Sequence, residues 1–217
     1  MRKNKGIFWI LAGLLLIVAA LFLSAYNLHD ERRAEQSAMQ AVDRLEEVLS
    51  PEMDAEPSVE RADEGETQVH NEETVIPDYI LSPDMEMPVE TVDGIDYIGV
   101  LRVPVLELEL PVISQWSYPS LKIAPCRYGG SAYLDDLVLC AHNYSSHFGN
   151  LKTLQPGDAV TFTDMDGNEF RYEVAEMETL QPGAVEEMES GDWDLTLFTC
   201  TIGGRKRVTV RCERIGE

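Results

Sequence analysis

Cys200 ends the run Leu195-Thr196-Leu197-Phe198-Thr199-Cys200, and Gly203-Gly204 separates it from Arg207-Val208-Thr209-Val210-Arg211-Cys212. Both runs have the composition of strands, and the diglycine suits a two-residue turn with positive φ at both positions. With the glycines as the turn, Ile202 meets Arg205, Thr201 meets Lys206 and Cys200 meets Arg207. Directly opposed side chains on one sheet face lie about 4.5–5.5 Å apart. A cysteine facing an arginine sits in a positive field that favours the nucleophilic thiolate. Val208, Val210 and Cys212 fall on the other face, as core residues would. Arg207, Thr209 and Arg211 share the polar face with Arg205.

A nucleophilic cysteine works with a base, most often histidine. Beyond the acidic stalk the candidates are His142 and His147. His142 ends the apolar run Leu137-Val138-Leu139-Cys140-Ala141, a rigid position for a catalytic group. His147 lies in the polar loop that follows, after Asn143-Tyr144-Ser145-Ser146. Strand alternation turns Thr199 away from Cys200, which leaves a direct role as its lesser reading. Alone, each of these residues has a plainer explanation: a packed cysteine, a hydrogen-bonded histidine, an arginine solvating a sheet face. Their combination, in this order, is what favours chemistry.

The elements that would position them are short and strand-like. Tyr97 to Val103 is one run, and Leu106-Glu107-Leu108-Glu109-Leu110 alternates apolar with acidic, as a half-buried strand does. Leu137 to Ala141 reads as a strand buried on both sides. Ala159 to Thr163 and Glu169 to Ala175 flank Met165-Asp166-Gly167-Asn168, a hairpin signal. Six to eight such strands, with a helical turn or two over Phe148 to Leu154, indicate an all-β barrel or sandwich.

The first 90 residues are of another kind. Ile7 to Ala25 is 19 residues without a charge. As a helix it reaches roughly 28 Å, close to the hydrocarbon thickness of a bilayer. Trp9 and Tyr26 suit the two interfaces. The alternative is a cleaved signal peptide, but the run exceeds the usual apolar stretch and Leu23-Ser24-Ala25 is a poor cleavage site. Arg2, Lys3 and Lys5 place the N-terminus in the cytoplasm and the remainder outside the cell. Residues 27–49 continue as a juxtamembrane helix with a narrow stripe of Ala34, Ala38, Ala41, Leu45 and Val48. It is read as a solvated spacer, with a weak coiled-coil seam as the alternative. Residues 50–90 form an acidic linker, disordered for want of apolar surface to bury. The segments are thus 1–26, tip and membrane anchor; 27–49; 50–90; and 91–217, the folded domain. With 39 acidic against 17 basic side chains and a net charge of -22, the chain lacks the basic face that nucleic acid requires.

These features together resemble the sortases, membrane-anchored cysteine transpeptidases of Gram-positive bacteria. Thr196-Leu197-Phe198-Thr199-Cys200 matches the family's TLxTC signature. Ala141-His142 matches its strand-end histidine, and Arg207 its downstream arginine. Ile98-Gly99-Val100-Leu101-Arg102-Val103-Pro104, then Leu110-Pro111-Val112, is similar to the family's opening strands. The bend between Cys200 and Arg207 is shorter than in many relatives, which keeps Arg205 as a minor alternative for the arginine. The resemblance implies an eight-stranded β-barrel with one or two short helices, preceded by the transmembrane helix and stalk. It implies cleavage of an LPxTG-like motif by Cys200, proton transfer by His142 and hydrogen bonding by Arg207. The partners implied are secreted proteins bearing that motif and an amine of a peptidoglycan precursor or of a pilin lysine.

No cofactor is implied. Some sortases bind calcium near the nucleophile strand, but Glu186, Glu187, Glu189, Asp192 and Asp194 read better as a solvated acidic loop than as a metal site. Cys126 and Cys140 are read as free thiols, with a disulfide as the alternative in an oxidising exterior. Two other functions remain beside transpeptidation: a surface cysteine protease that gives its acyl-enzyme to water, and a tethered barrel that binds peptide without catalysis. Residues 177–193 are expected to shape the substrate groove, and Tyr79 to Val92 to be able to cover it.

Overall fold

A computed structural model describes residues 4–49, 76–191 and 193–216. In chain order the elements are α1 (Asn4–Leu49), α2 (Asp78–Leu81), β1 (Glu90–Val92), β2 (Ile95–Val103), β3 (Leu108–Ile113), β4 (Cys126–Gly129), β5 (Leu137–Ala141), β6 (Ala159–Asp164), β7 (Glu169–Leu180), α3 (Val185–Glu189), β8 (Leu195–Cys200) and β9 (Arg207–Arg214). Alternation dictates the outer strands: along β6 and the first half of β7 every second side chain is buried. β5 is buried at all five positions, as its unbroken apolar run requires.

The strands hydrogen-bond in the order β1-β2-β3-β4-β5-β8-β9-β7-β6, and β2 also pairs with β6. That last pairing closes the eight strands β2 to β9 into a barrel, with β1 a short flap on β2. Closure depends on Gly99, which has φ +155 and lies where β2 crosses β6. A Cβ there would stand 2.1 Å from the Thr163 carbonyl oxygen, so only glycine permits this approach. Ile98, Leu101, Leu139, Phe162, Phe170, Leu195, Leu197 and Val210 fill the interior. The hairpin over Met165–Asn168 forms as read, tied by Asp164, which accepts from the backbone N–H of Asp166 and Asn168 and from Tyr133 Oη at 2.7 Å. β3 starts two residues later than its alternation suggests, because Pro104–Leu106 forms a 3-10 turn.

Two segments before the barrel differ from the sequence reading. Residues 50–75, most of the expected linker, lie outside the described residues. From residue 76 the chain is docked: Tyr79 stacks on Tyr133 with centroids 4.7 Å apart, and Met87 is buried in the main core. A few well-spaced apolar anchors outweigh the acidic average of this stretch. It packs against Phe170 and lines no part of the cleft that holds Cys200, so it does not cover that cleft.

The second difference concerns α1. Its first half contains the charge-free run 7–25, which is largely exposed and is long and apolar enough to cross a membrane once. Its second half is no solvated spacer. Ala34, Ala38, Ala41, Val42 and Leu45 are buried. Ala38 joins the barrel core, while Ala41 and Leu45 join an outer cluster with Tyr97, Val100, Ile113, Cys126 and Cys140. A stripe of alanines looks too weak to hold a helix. Its small side chains, however, let the backbone approach the barrel closely enough for Leu45 to be fully enclosed. The ion pairs Arg44–Asp93 (2.7 Å) and Arg102–Glu46 (2.9 Å) sit at the exposed rim and add little. Leu45→Ala is therefore expected to cost about 2–4 kcal/mol, a core-sized penalty, read as a shift in the urea unfolding curve. A loss below about 0.5 kcal/mol would mean that the stripe is a surface feature.

Candidate active site

Two strand pairings bring the chemistry-bearing residues together. β5 and β8 run parallel, with Leu137 level with Leu195 and Ala141 level with Thr199. The next residue on each strand is His142 and Cys200, so imidazole and thiol leave the same end of neighbouring strands. Thr199 Oγ1 donates to the Ala141 carbonyl at 2.8 Å and fixes this level. Its hydroxyl is buried and occupied between the strands, while the residue still lines the cleft that holds Cys200.

The second pairing is antiparallel, β8 with β9, and Cys200 pairs with Arg207 as the sequence register requires. The bend itself is wider than expected. Ile202 and Arg205 do not pair. Instead Thr201 N–H donates to the Lys206 carbonyl at 2.9 Å, Lys206 N–H to Thr201 Oγ1 at 3.1 Å and Gly204 N–H to the Thr201 carbonyl at 2.7 Å. The threonine side chain captures the lysine amide and closes the loop one step early. A four-residue loop is symmetric about the same point as the diglycine, so the register of Cys200 is unchanged. Gly203 (φ +84) and Gly204 (φ +70) are both left-handed.

Cys200, His142 and Arg207 line one cleft of about 240 Å³. Arg205 and His147 do not line it. The lining is largely apolar and aromatic, with Trp116, Tyr118, Tyr128 and Phe198 beside Val185 and Met188 of α3. Trp116, Tyr128 and Phe198 form a ladder with centroid steps of 5.7 and 5.2 Å. Arg207 Nη1 donates to the carbonyls of Gly204 and Lys206, each at 3.3 Å, which holds the guanidinium at the cleft mouth. A larger cleft of about 640 Å³ lies between α1 and Leu106–Leu110, but it contains neither Cys200 nor His142. Cys200 also borders a cleft of about 420 Å³, but His142 and Arg207 join it only in the smaller one.

The two histidines have different surroundings. His142 is half-buried against the Tyr144 ring at 4.9 Å. Burial, aided by the Lys122 charge and opposed by Asp30, holds its pKa below the ordinary 6.5. The imidazole is therefore mainly neutral at pH 7 and able to accept a proton. His147 is fully buried, and neither ring nitrogen has a hydrogen-bond partner. Burial and the neighbouring His142 push it down to about 4.

Alternation assigns Arg211 to the polar face, yet it is only 3% exposed. It donates to Glu178 Oε1 at 2.8 Å, Thr196 Oγ1 at 2.9 Å and the Met188 carbonyl at 2.8 Å, and also bonds the Glu187 carbonyl. It thereby pins α3, one wall of the cleft, onto the sheet. Alternation could place Arg211 on this face, but not reveal that a loop helix covers it. Cys126 and Cys140 stand directly opposite each other as buried free thiols, and burial pushes Cys126 up to about 12. Glu186, Glu187 and Glu189 lie on α3, Asp194 accepts from the Arg214 N–H at 2.5 Å, and Asp192 is outside the described residues. Among the described residues no three His, Cys, Asp or Glu side chains cluster as a metal site would.

Removing the Arg211 pin is expected to cost about 2–4 kcal/mol of stability, since it orphans buried acceptors and Glu178. Arg211→Met should also raise the KM for any peptide held against α3; unchanged stability and KM would remove this role. His147 generates a pH dependence of stability. Its proton is disfavoured in the folded state, so the unfolded chain binds more protons between pH 6.5 and 4. Stability present above 6.5 is lost progressively as the pH falls to 4, by about 3 kcal/mol in all. In His147→Phe that loss should vanish from the urea midpoint measured across this range.

The Sortase domain family matches residues 101–215, more than half of the chain. Comparison with curated protein sequences gives no match. Among solved structures the fold is similar to the sortase D5 transpeptidase of Clostridium perfringens, with TM-score 0.51 and 20% identity over 64% of this chain and 88% of that one. It is also similar to sortase A of Corynebacterium diphtheriae, with TM-score 0.50 and 22% identity over 57% of this chain and 62% of that one. Sortase C1 of Streptococcus suis has 28% identity over 56% of this chain and 74% of that one, with TM-score 0.48. The chain spans 65% of another sortase C1, so part of some relatives has no counterpart here. A closed eight-stranded barrel and a family match over most of that barrel lead to one assignment: the chain belongs to the sortase family.

Proposed function

We propose that the protein is a sortase-type transpeptidase that cleaves an LPxTG-like motif through a Cys200 thioester and transfers the acyl part to an amine. One observation carries this reading: two strand registers deliver a thiol, an imidazole and a guanidinium to a single cleft with an apolar wall. The apolar wall suits the leucine and proline of such a motif, and the polar end suits its scissile Thr–Gly bond.

In the first step Cys200 Sγ attacks the threonine carbonyl carbon while His142 takes the thiol proton. Negative charge grows on the carbonyl oxygen, where the Arg207 guanidinium donates to it or to the motif backbone. The C–N bond then breaks, and imidazolium returns the proton to the departing glycine amine. In the second step an amine attacks the thioester, His142 accepts its proton, and Cys200 Sγ leaves and is reprotonated. The neutral state favoured for His142 is the one that begins this cycle. The amine comes from a peptidoglycan precursor or a pilin lysine.

Arg2, Lys3 and Lys5 keep the N-terminus in the cytoplasm, which puts the barrel outside the cell on a single-pass anchor. Sorted proteins and wall precursors are themselves membrane-bound, so a shared surface raises their effective concentration. The scheme is written without a cofactor.

Cys200→Ala is expected to reduce LPxTG-peptide cleavage on the order of 10³-fold or more with the circular dichroism spectrum intact. Undiminished cleavage would remove Cys200 as nucleophile and favour a barrel that only binds. Added triglycine should yield a ligated peptide; hydrolysis alone would make the protein a protease. The acid limb of kcat/KM should lie below pH 6.5, because His142 titrates below its ordinary value. A limb above 6.5 would contradict that role.

A further inference from the structure

The loop that follows His142 is bonded to α1 as well as to the barrel. Tyr144 Oη donates to Asp30 Oδ2 at 3.0 Å. Ser145 N–H donates to Glu31 Oε1 at 2.6 Å, and Ser145 Oγ makes a second bond to the same oxygen. The Tyr144 ring in turn packs on the His142 imidazole, and the Phe148 N–H donates to the His142 carbonyl at 3.2 Å. His142 is thus one contact away from Asp30, through Tyr144, and Glu31 holds the same loop at Ser145, on the helix that carries the apolar span.

Three features make this more than a surface contact. The bonds are charge-assisted, and two of them converge on one carboxylate oxygen, which fixes the loop backbone and not only a side chain. Asp30 and Glu31 begin the docked half of α1, whose buried stripe from Ala34 to Leu45 holds the helix in register. They also follow Tyr26, the aromatic at the end of the apolar run, by four and five residues, about 6–8 Å along the helix axis.

We propose that Asp30 and Glu31 are positioning residues, which hold the His142 loop from the membrane-proximal turn of α1 and so set the imidazole against Cys200 at a fixed height above the bilayer. The proposal rests on the transpeptidase reading for its catalytic meaning, and on the helix contacts alone for its geometry. The anchor becomes part of the active site's construction, and a barrel without residues 27–49 keeps its three site residues while losing the support of one.

The groups facing His142 are Asp30 on α1, Lys122 in the 3-10 turn Ser120–Lys122, Cys200 on β8, Arg207 on β9, and Tyr144 and His147 on its own loop. Asp30 is the α1 carboxylate whose charge acts on the imidazole. A change at Glu31 therefore reports loop placement.

The test uses the full chain in lipid nanodiscs, with Glu31→Ala and Glu31→Gln beside the wild type. Glu31→Ala is expected to lower kcat for LPxTG-peptide cleavage about tenfold with KM little changed, the effect of losing one charge-assisted anchor. Glu31→Gln keeps an acceptor oxygen toward Ser145 and should recover most of that loss. In parallel, NMR titration of the His142 imidazole should move toward its ordinary 6.5 in Glu31→Ala, as the loosened ring gains solvent. Unchanged kcat together with an unchanged titration overturns the proposal, as does a lowered melting temperature with both unchanged. If the wild type cleaves no such peptide, the transpeptidase reading fails, and the His142 titration alone decides whether α1 places the ring.

Discussion

The parallel pairing of β5 with β8 is the contact on which the remainder of the molecule depends. Parallel neighbours cannot be joined by a tight turn, so the chain between them must travel a long way. Here it builds β6, β7 and α3 before returning. The barrel is what makes that return accurate: each intervening strand is antiparallel to its neighbour, and the Gly99 crossing closes the ring so that β8 has one place to go. Thr199 Oγ1 then sets the level to within one residue. A slip of one position would turn Cys200 into the interior and bring Thr201 to the cleft in its place.

Around this frame burial does most of the electrostatic work. It keeps Cys126 and Cys140 protonated, holds His147 uncharged and lowers His142. Charge is admitted to the interior at Arg211, where four acceptors satisfy the guanidinium. That concentration of hydrogen bonds makes a five-residue helix a firm wall, although α3 is too short to be stable alone. Residues 91–217 hold 20 acidic and 10 basic side chains, so the barrel domain carries nearly half of the net charge of -22, and that charge has little bearing on the fold.

The juxtaposition of the three candidate residues is legible in the sequence because its geometry is local and redundant. The pairing of Cys200 with Arg207 follows from any symmetric loop centred on Gly203-Gly204, so the two-residue bend was a wrong detail that left the register unharmed. His142 could be placed from the end of an unbroken apolar run. The barrel was legible from strand count and alternation, but its order was not, since nothing local tells β5 to seek β8. Contacts between distant segments left the weakest trace. The alanine stripe of α1 has almost no hydrophobic signal, and Tyr79 and Met87 are diluted by the acids around them. Arg211 looks solvated until a loop helix 23 residues upstream in sequence is placed over it.

The four sulfurs of the cysteines differ in one further respect. Three are enclosed, and the fourth, at the open end of β8, is partly exposed. A modest alkylating reagent therefore meets a single reachable thiol per folded molecule, the one in the cleft shared with His142 and Arg207. Stoichiometric labelling would count intact molecules in a preparation, and any second equivalent consumed would register chains whose barrel had opened.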